Sequence, residues 1–239
     1  MNDTSKSNGK IRRKSIVPKL KECTSIDRKN TELYITEGNS AAGSVIQTRD
    51  VKHQAVFPIR GKILNVAKGF KLLDSLKNEE AKGIVNAIGA GISDNCNADN
   101  SRYERIIISA DSDYDGYHIQ SLLASLFINL LPDLVKKGMV YALVSPLYGW
   151  TEKNGKMNFT NDQEIALKHK DFTRFKGLGE MDKDEFYEAN MDPENRKLIR
   201  ITYPEDLNEF NQIMTESSVK KDMLEQLGLI NVREYKEES

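Results

Sequence analysis

Three aspartates at alternate positions, Asp111, Asp113 and Asp115, follow closely on a run of three isoleucines, and Gly116 closes the set. In an extended segment such side chains share one side, so three ionised carboxylates repel one another unless something positive neutralises them. A hard divalent cation with oxygen ligands is the simplest compensation. Glu37 stands in a similar place, at the end of the β-prone run Leu33-Tyr34-Ile35 and just before Gly38. Ligand sites in open parallel sheets form beyond the carboxyl ends of the strands, so the pattern expects all four acids on one rim. Two blander explanations compete. Asp111, Asp113, Asp115 and Gly116 match the opening of an EF-hand loop, but its twelfth position, a bidentate Glu, is Leu122 here, and such a loop follows a helix rather than three isoleucines. A solvated acidic turn fits poorly between a buried strand and an apolar helix.

The elements that must position these acids alternate between strand and helix. Glu37-Gly38 ends a first strand, and a helix is expected over 40–49 with Ser40 as its N-cap. Gln54 to Phe57 reads as a second strand, stopped by Pro58. Asn78 to Ile88 reads as a helix ending at Gly89, followed by a polar loop over 93–101. Arg105 to Ala110 is almost continuously apolar, as expected of a parallel strand covered on both faces. The helix after the acids carries Ile119, Leu122, Leu123, Leu126, Phe127, Leu130 and Leu131 at helical spacing. Met139 to Val144 is a fourth strand. The order implies an α/β layer with a mainly parallel sheet flanked by helices. After Pro146 the pattern changes to a polar hairpin with a type I′ turn at Asn154-Gly155, and then to helices over 182–190, 204–215 and 219–227. The expected units are a flexible basic lead-in over 1–30, the α/β domain over 31–149, and a smaller α+β extension over 150–239.

Bulk properties narrow the class. A chain of 239 residues can bury one good core, or one core and a satellite. No apolar run approaches the roughly 20 residues of a membrane span, and no secretory signal follows the basic N-terminus. Cys23 and Cys96 are isolated, which argues against a zinc site or disulfide framework and fits a reducing cytoplasm. A net charge of −1 excludes a uniformly basic coat but not a local basic groove.

Four separated motifs carry a family resemblance. They are KLKECT at 19–24 with TELYITEGNSAAG at 31–43, FPIRGKILNV at 57–66, SADSDYDGYHI at 109–119, and RFKGLGEM at 174–181 followed by Met191-Asp192-Pro193. DxDxDG alone is weak, but the set and its order resemble the Toprim-containing part of the large subunit of type IIA topoisomerases, the gyrase B-like proteins. Asn39 stands where that family usually has Asp, and Ala42 where it has Gly. Asn39 keeps an oxygen but loses a charge.

The resemblance implies a Toprim, Rossmann-like fold and a Mg²⁺ site made by Glu37, Asp111 and Asp113, with Asp115 a further candidate. It implies that Glu37 is also the catalytic general acid and base, and that Arg60, Lys62, Arg174 and Lys176 contact DNA. It further implies double-stranded DNA as substrate, a tyrosine-bearing breakage-reunion subunit, and an ATPase subunit or domain in a two-fold symmetric hetero-oligomer. No motif for the ATPase or the nucleophilic tyrosine occurs in these residues, so ATP is expected to be used by the holoenzyme, and the chain to be inactive alone. A naturally split subunit, as in some bacteriophage topoisomerases, or a fragment would account for this, in a bacterial or phage-infected cell. The alternatives are a stand-alone Toprim nuclease or primase-like enzyme, and a non-catalytic topoisomerase-binding module.

Overall fold

A computed structural model describes residues 17–60, 63–68 and 72–215. In chain order its elements are β1 (Glu32–Glu37), α1 (Gly38–Thr48), β2 (Gln54–Ile59), α2 (Leu72–Ser75), α3 (Glu79–Ile88), β3 (Arg105–Ser109), α4 (Tyr114–Leu130) and α5 (Pro132–Lys136). They continue with β4 (Val140–Val144), β5 (Tyr148–Thr151), β6 (Met157–Thr160), α6 (Gln163–Ala166), β7 (Thr173–Arg174), α7 (Lys183–Phe186), β8 (Lys197–Arg200) and α8 (Leu207–Thr215).

The large sheet runs β2-β1-β3-β4-β8, with parallel pairing throughout except for antiparallel β8. Alternating side chains on β3 supply both faces. Ile106 and Ile108 join α3 and α4 in one core, and Ile107 joins Tyr34, Val56 and α1 in the other. All three isoleucines are fully buried, each contributing about 1.5–3 kcal/mol. α4 is buried almost all round from Gln120 to Ile128, which explains its apolar richness. The mainly parallel α/β architecture expected from the sequence is therefore present.

A second, three-stranded sheet, β6-β5-β7, is built entirely by the excursion between β4 and β8. Arg196 fastens the end of that excursion to the start of β1. It is buried, donates to Glu32 and to the Tyr34 hydroxyl, and pairs with a carboxylate that Arg105 and Gln54 also reach. Burial alone would raise the Glu32 pKa, but the hydrogen bonds and charge of Arg196, with Gln54 and Arg105, bring it below the ordinary value.

Local expectations needed several corrections. Ser40 is not the N-cap of α1. Gly38 takes a φ of +69° and turns the chain straight from β1 into the helix, so Glu37 occupies the cap position and Ser40 lies in the first turn. Pro58 does not stop β2, because β2 is an edge strand of the large sheet, where a missing N–H is tolerated. The β5–β6 turn is not type I′. Only Gly155 has positive φ, and Gly155 donates to Glu152 O, as in a type I turn followed by a left-handed glycine. The helix expected over 182–190 is α7 and a π-turn, and α8 begins at Leu207 rather than Pro204. β8 was not foreseen. The expected helix over 219–227 lies outside the described residues.

Candidate metal centre

β1 and β3 are adjacent and parallel, so their carboxyl ends share a rim. Glu37 is the last residue of β1, and Asp111 stands two residues beyond β3. β2 delivers Arg60 to the same rim and β4 delivers Ser145, whose carbonyl accepts from the Ser112 hydroxyl at 2.8 Å. The turn from Asp111 into α4 is tight. An added Cβ at Gly116 would lie 2.0 Å from the carbonyl oxygen of Asp111, so only glycine fits there. Asp113 caps α4 by accepting from the Gly116 N–H at 2.7 Å, which leaves its second oxygen uncommitted by that bond.

Asp111 is held from outside the sheet. The Leu178 N–H donates to its Oδ1 at 2.8 Å, and Gly177 packs against its carboxyl group so closely that a Cβ there would fall 2.9 Å from Oδ2. The Lys-Gly-Leu-Gly-Glu segment therefore folds over the acidic loop. Its own turn is closed by the Lys176 N–H donating to Glu180 at 2.8 Å.

The acids act on one another electrostatically. Burial, with the charges of Asp111, Asp113 and Asp115, raises the Glu37 pKa to about 7 against the opposing hydrogen bond from the Asp111 backbone. Burial also raises Asp111. The Leu178 N–H opposes that shift, while the charges of Asp113 and Glu180 add to it. Glu37 Oε2 is buried and has no protein partner. A buried carboxylate oxygen of this kind is costly unless a cation or proton meets it.

Oxygen donors without Cys or His, and an orphaned carboxylate oxygen, fit a hard divalent cation. Among the described residues no three acidic, His or Cys side chains converge as a ready cage. Mg²⁺ does not require one, because it keeps several waters and is usually held by one or two carboxylates.

The basic residues are less tightly gathered. Arg60 is exposed, and its Nε donates to Asn39 Oδ1 at 3.3 Å, so the amide at position 39 orients an arginine. Lys62 lies outside the described residues. Arg174, on β7, and Lys176 are both exposed. Sequence reasoning missed the part played by the Leu178 N–H and by Gly177 and Glu180, because a backbone donor has no residue signature. The glycines in the segment were the available signal.

The fold is of the Toprim type, as comparison with known proteins shows. Residues 32–143 match the Toprim domain, and residues 168–221 match the carboxyl terminus of the DNA gyrase B subunit. The chain is 40% identical over 237 residues to the DNA gyrase B subunit of Thermotoga maritima, covering 92% of this chain and 37% of that protein. It is 42% identical over 194 residues to the DNA topoisomerase 4 B subunit of Streptococcus pneumoniae, covering 77% and 30%. The DNA gyrase B subunit of Archaeoglobus fulgidus is 42% identical over 191 residues, with the same coverage. The chain belongs to the type IIA topoisomerase family, as the Toprim-containing part of a gyrase B-like large subunit. It spans about a third of the length of these curated relatives. No helix among the described residues is long and apolar enough to cross a membrane.

Proposed function

We propose that this chain supplies the Mg²⁺-binding half of the DNA cleavage–religation site of an ATP-dependent type II topoisomerase. The nucleophilic tyrosine and the ATPase come from partner chains or domains. The observation that carries this reading is the juxtaposition of Glu37 and Asp111, with an orphaned oxygen on the first and a backbone clamp on the second.

Cutting a DNA strand by transesterification needs an activated hydroxyl, stabilisation of charge on the phosphoryl group, and a proton for the leaving 3′ oxygen. Bound Mg²⁺ would polarise a phosphate oxygen and offset the developing charge. Asp111, fixed by Leu178, and Asp113, fixed at the start of α4, offer ligands on rigid backbone, with Asp115 in the helix's first turn. Glu37, with its pKa near 7, can act as a ligand when ionised and carry a proton to or from the 3′ oxygen when neutral. Arg60, Lys62, Arg174 and Lys176 contact the DNA backbone. Two copies of this half-site in a two-fold assembly would serve the two strands, in the cytoplasm of a bacterial or phage-infected cell.

The test combines the chain with a tyrosine-bearing subunit and an ATPase-bearing subunit and measures Mg²⁺-dependent cleavage of duplex DNA. Asp111→Ala should abolish cleavage, and the purified chain alone should leave DNA intact. Normal cleavage by the mutant mixture, or metal-dependent nicking by the chain alone, would overturn the proposal.

A further inference from the structure

The second sheet carries a groove of about 510 Å³ that the cleavage chemistry does not use. It lies between the β5–β6 turn and the segment after α6, and Trp150, Lys153, Lys168, His169 and Lys170 line it. The rings of Trp150 and His169 are stacked, with centroids 4.0 Å apart and planes 17° apart, forming a flat aromatic wall. The indole N–H is buried and donates to no protein atom. Among the described residues, none of the three lysines makes an ion pair. Two acids also line the groove, Glu152 and Asp171. Glu152 is occupied along the hairpin, accepting from Asn154 at 3.3 Å and Asn158 at 3.1 Å. Three free ammonium groups beside a rigid aromatic surface suit a run of phosphates better than a single small anion.

The topology connects this groove to the acidic rim. Tyr148 of β5 pairs with Arg174 of β7, and the chain runs from Arg174 through Lys176 to Gly177, against Asp111. Trp150 is two residues from that pair in one direction, and Gly177 three residues in the other. At no more than about 3.4 Å per residue these five steps span at most about 17 Å, because the chain bends after β7, and that limit is the axial length of about five base pairs. Exposed Arg174 and Lys176 lie on the path between them.

We infer that this groove is a second DNA-backbone site, holding phosphates within about half a helical turn of the bond cut at the acidic rim. The inference rests on the cleavage reading above. The groove adds affinity without sequence preference, because lysines read phosphate and not base edges.

The test measures binding of the full chain to duplex DNA across a salt series, comparing the parent with Lys153→Gln/Lys168→Gln/Lys170→Gln. A control variant, Lys29→Gln/Lys52→Gln/Lys82→Gln, removes the same charge from elsewhere on the chain. Each lost phosphate contact reduces the slope of log K against log [salt] by about 0.9, so the groove variant should lose about 2–3 on a duplex long enough to span both places. On a duplex that ends before the groove, variant and parent should bind alike. An unchanged slope on the long duplex, or an equal loss in the control, would overturn the inference. If Asp111→Ala still abolishes cleavage by the assembled enzyme in that event, only the groove proposal falls. If it does not, the cleavage reading fails separately.

Discussion

Gly177→Ala isolates the contribution of the Lys-Gly-Leu-Gly-Glu segment to the proposed metal centre. Gly177 has an extended φ of −160°, so alanine is allowed by the backbone and the cost is purely steric. The new methyl carbon would sit 2.9 Å from Asp111 Oδ2, 3.1 Å from Cγ and 3.2 Å from Oδ1. Ordinary contact requires the carboxyl group to retreat by roughly 0.5 Å. Asp111 is short, and its Oδ1 is tied to the Leu178 N–H at 2.8 Å, so the retreat strains or breaks that bond. A hydrogen bond to a charged group is worth about 1.5–3 kcal/mol, and disturbed support around a metal ligand typically weakens affinity about 10- to 100-fold. Isothermal titration with MgCl₂ should show a loss in that range, with the melting temperature lowered by only a few degrees because the carboxylate can turn to water. Gly43→Ala is the control. Gly43 lies in α1, and its added Cβ meets nothing within 4 Å, so alanine there should leave Mg²⁺ binding intact. A Gly177→Ala protein with the parent's Mg²⁺ affinity would refute the reasoning.

Three other perturbations follow from the same geometry. Gly116→Ala would place a methyl carbon 2.0 Å from the Asp111 carbonyl, so the turn itself must move, and denaturant unfolding should show a loss of at least about 1–3 kcal/mol together with loss of Mg²⁺ binding. Glu37→Gln removes a carboxylate whose pKa is raised to about 7, so in chelator the wild-type chain should lose stability as pH rises from about 4.5 to 7. The variant should lack that decline, and thermal melts showing the same decline in both would exclude Glu37 as its source. Arg196→Ala leaves Glu32 and the Tyr34 hydroxyl without their buried partner, and should cost about 3–5 kcal/mol in denaturant unfolding. Because the Glu32 pKa is lowered, the stability it contributes is present above about pH 4.5 and is lost as pH falls through its folded value.

The parts of the fold that were legible in the sequence are those fixed by burial on a local scale. Ile106 to Ile108 had to lie between two covered faces, and Asn78 with Gly89 marked both ends of α3. What escaped depended on distant partners. β8 is a four-residue edge strand with Lys197 and Arg200 exposed, and it exists because β4, more than fifty residues earlier, offers a free edge. Pro58 looked like a strand terminator because nothing local shows that β2 lies at the edge of its sheet. The Asn-Gly pair suggested a type I′ turn, yet the spacing of the hairpin hydrogen bonds placed only Gly155 in the left-handed region.

The acids of the candidate site were legible from residue type and spacing, whereas their support was not, and the difference is physical. The fold steadies the acids with backbone donors, Leu178 N–H on Asp111 and Gly116 N–H on Asp113, rather than with lysines or arginines. The buried acids elsewhere are neutralised by cations: Glu22 by Arg102, Glu32 by Arg196, Glu80 by Lys19. Among the described residues no ion pair reaches Glu37, Asp111, Asp113 or Asp115, and the nearby Arg60 is turned to Asn39. A fold selected for stability alone would have placed a cation there. Leaving the charge uncompensated costs stability at neutral pH, a cost that a proton on Glu37 or a cation from solution removes. On the proposed reading the rim holds metal at the expense of the metal-free fold, and Glu37→Gln tests that trade from the stability side.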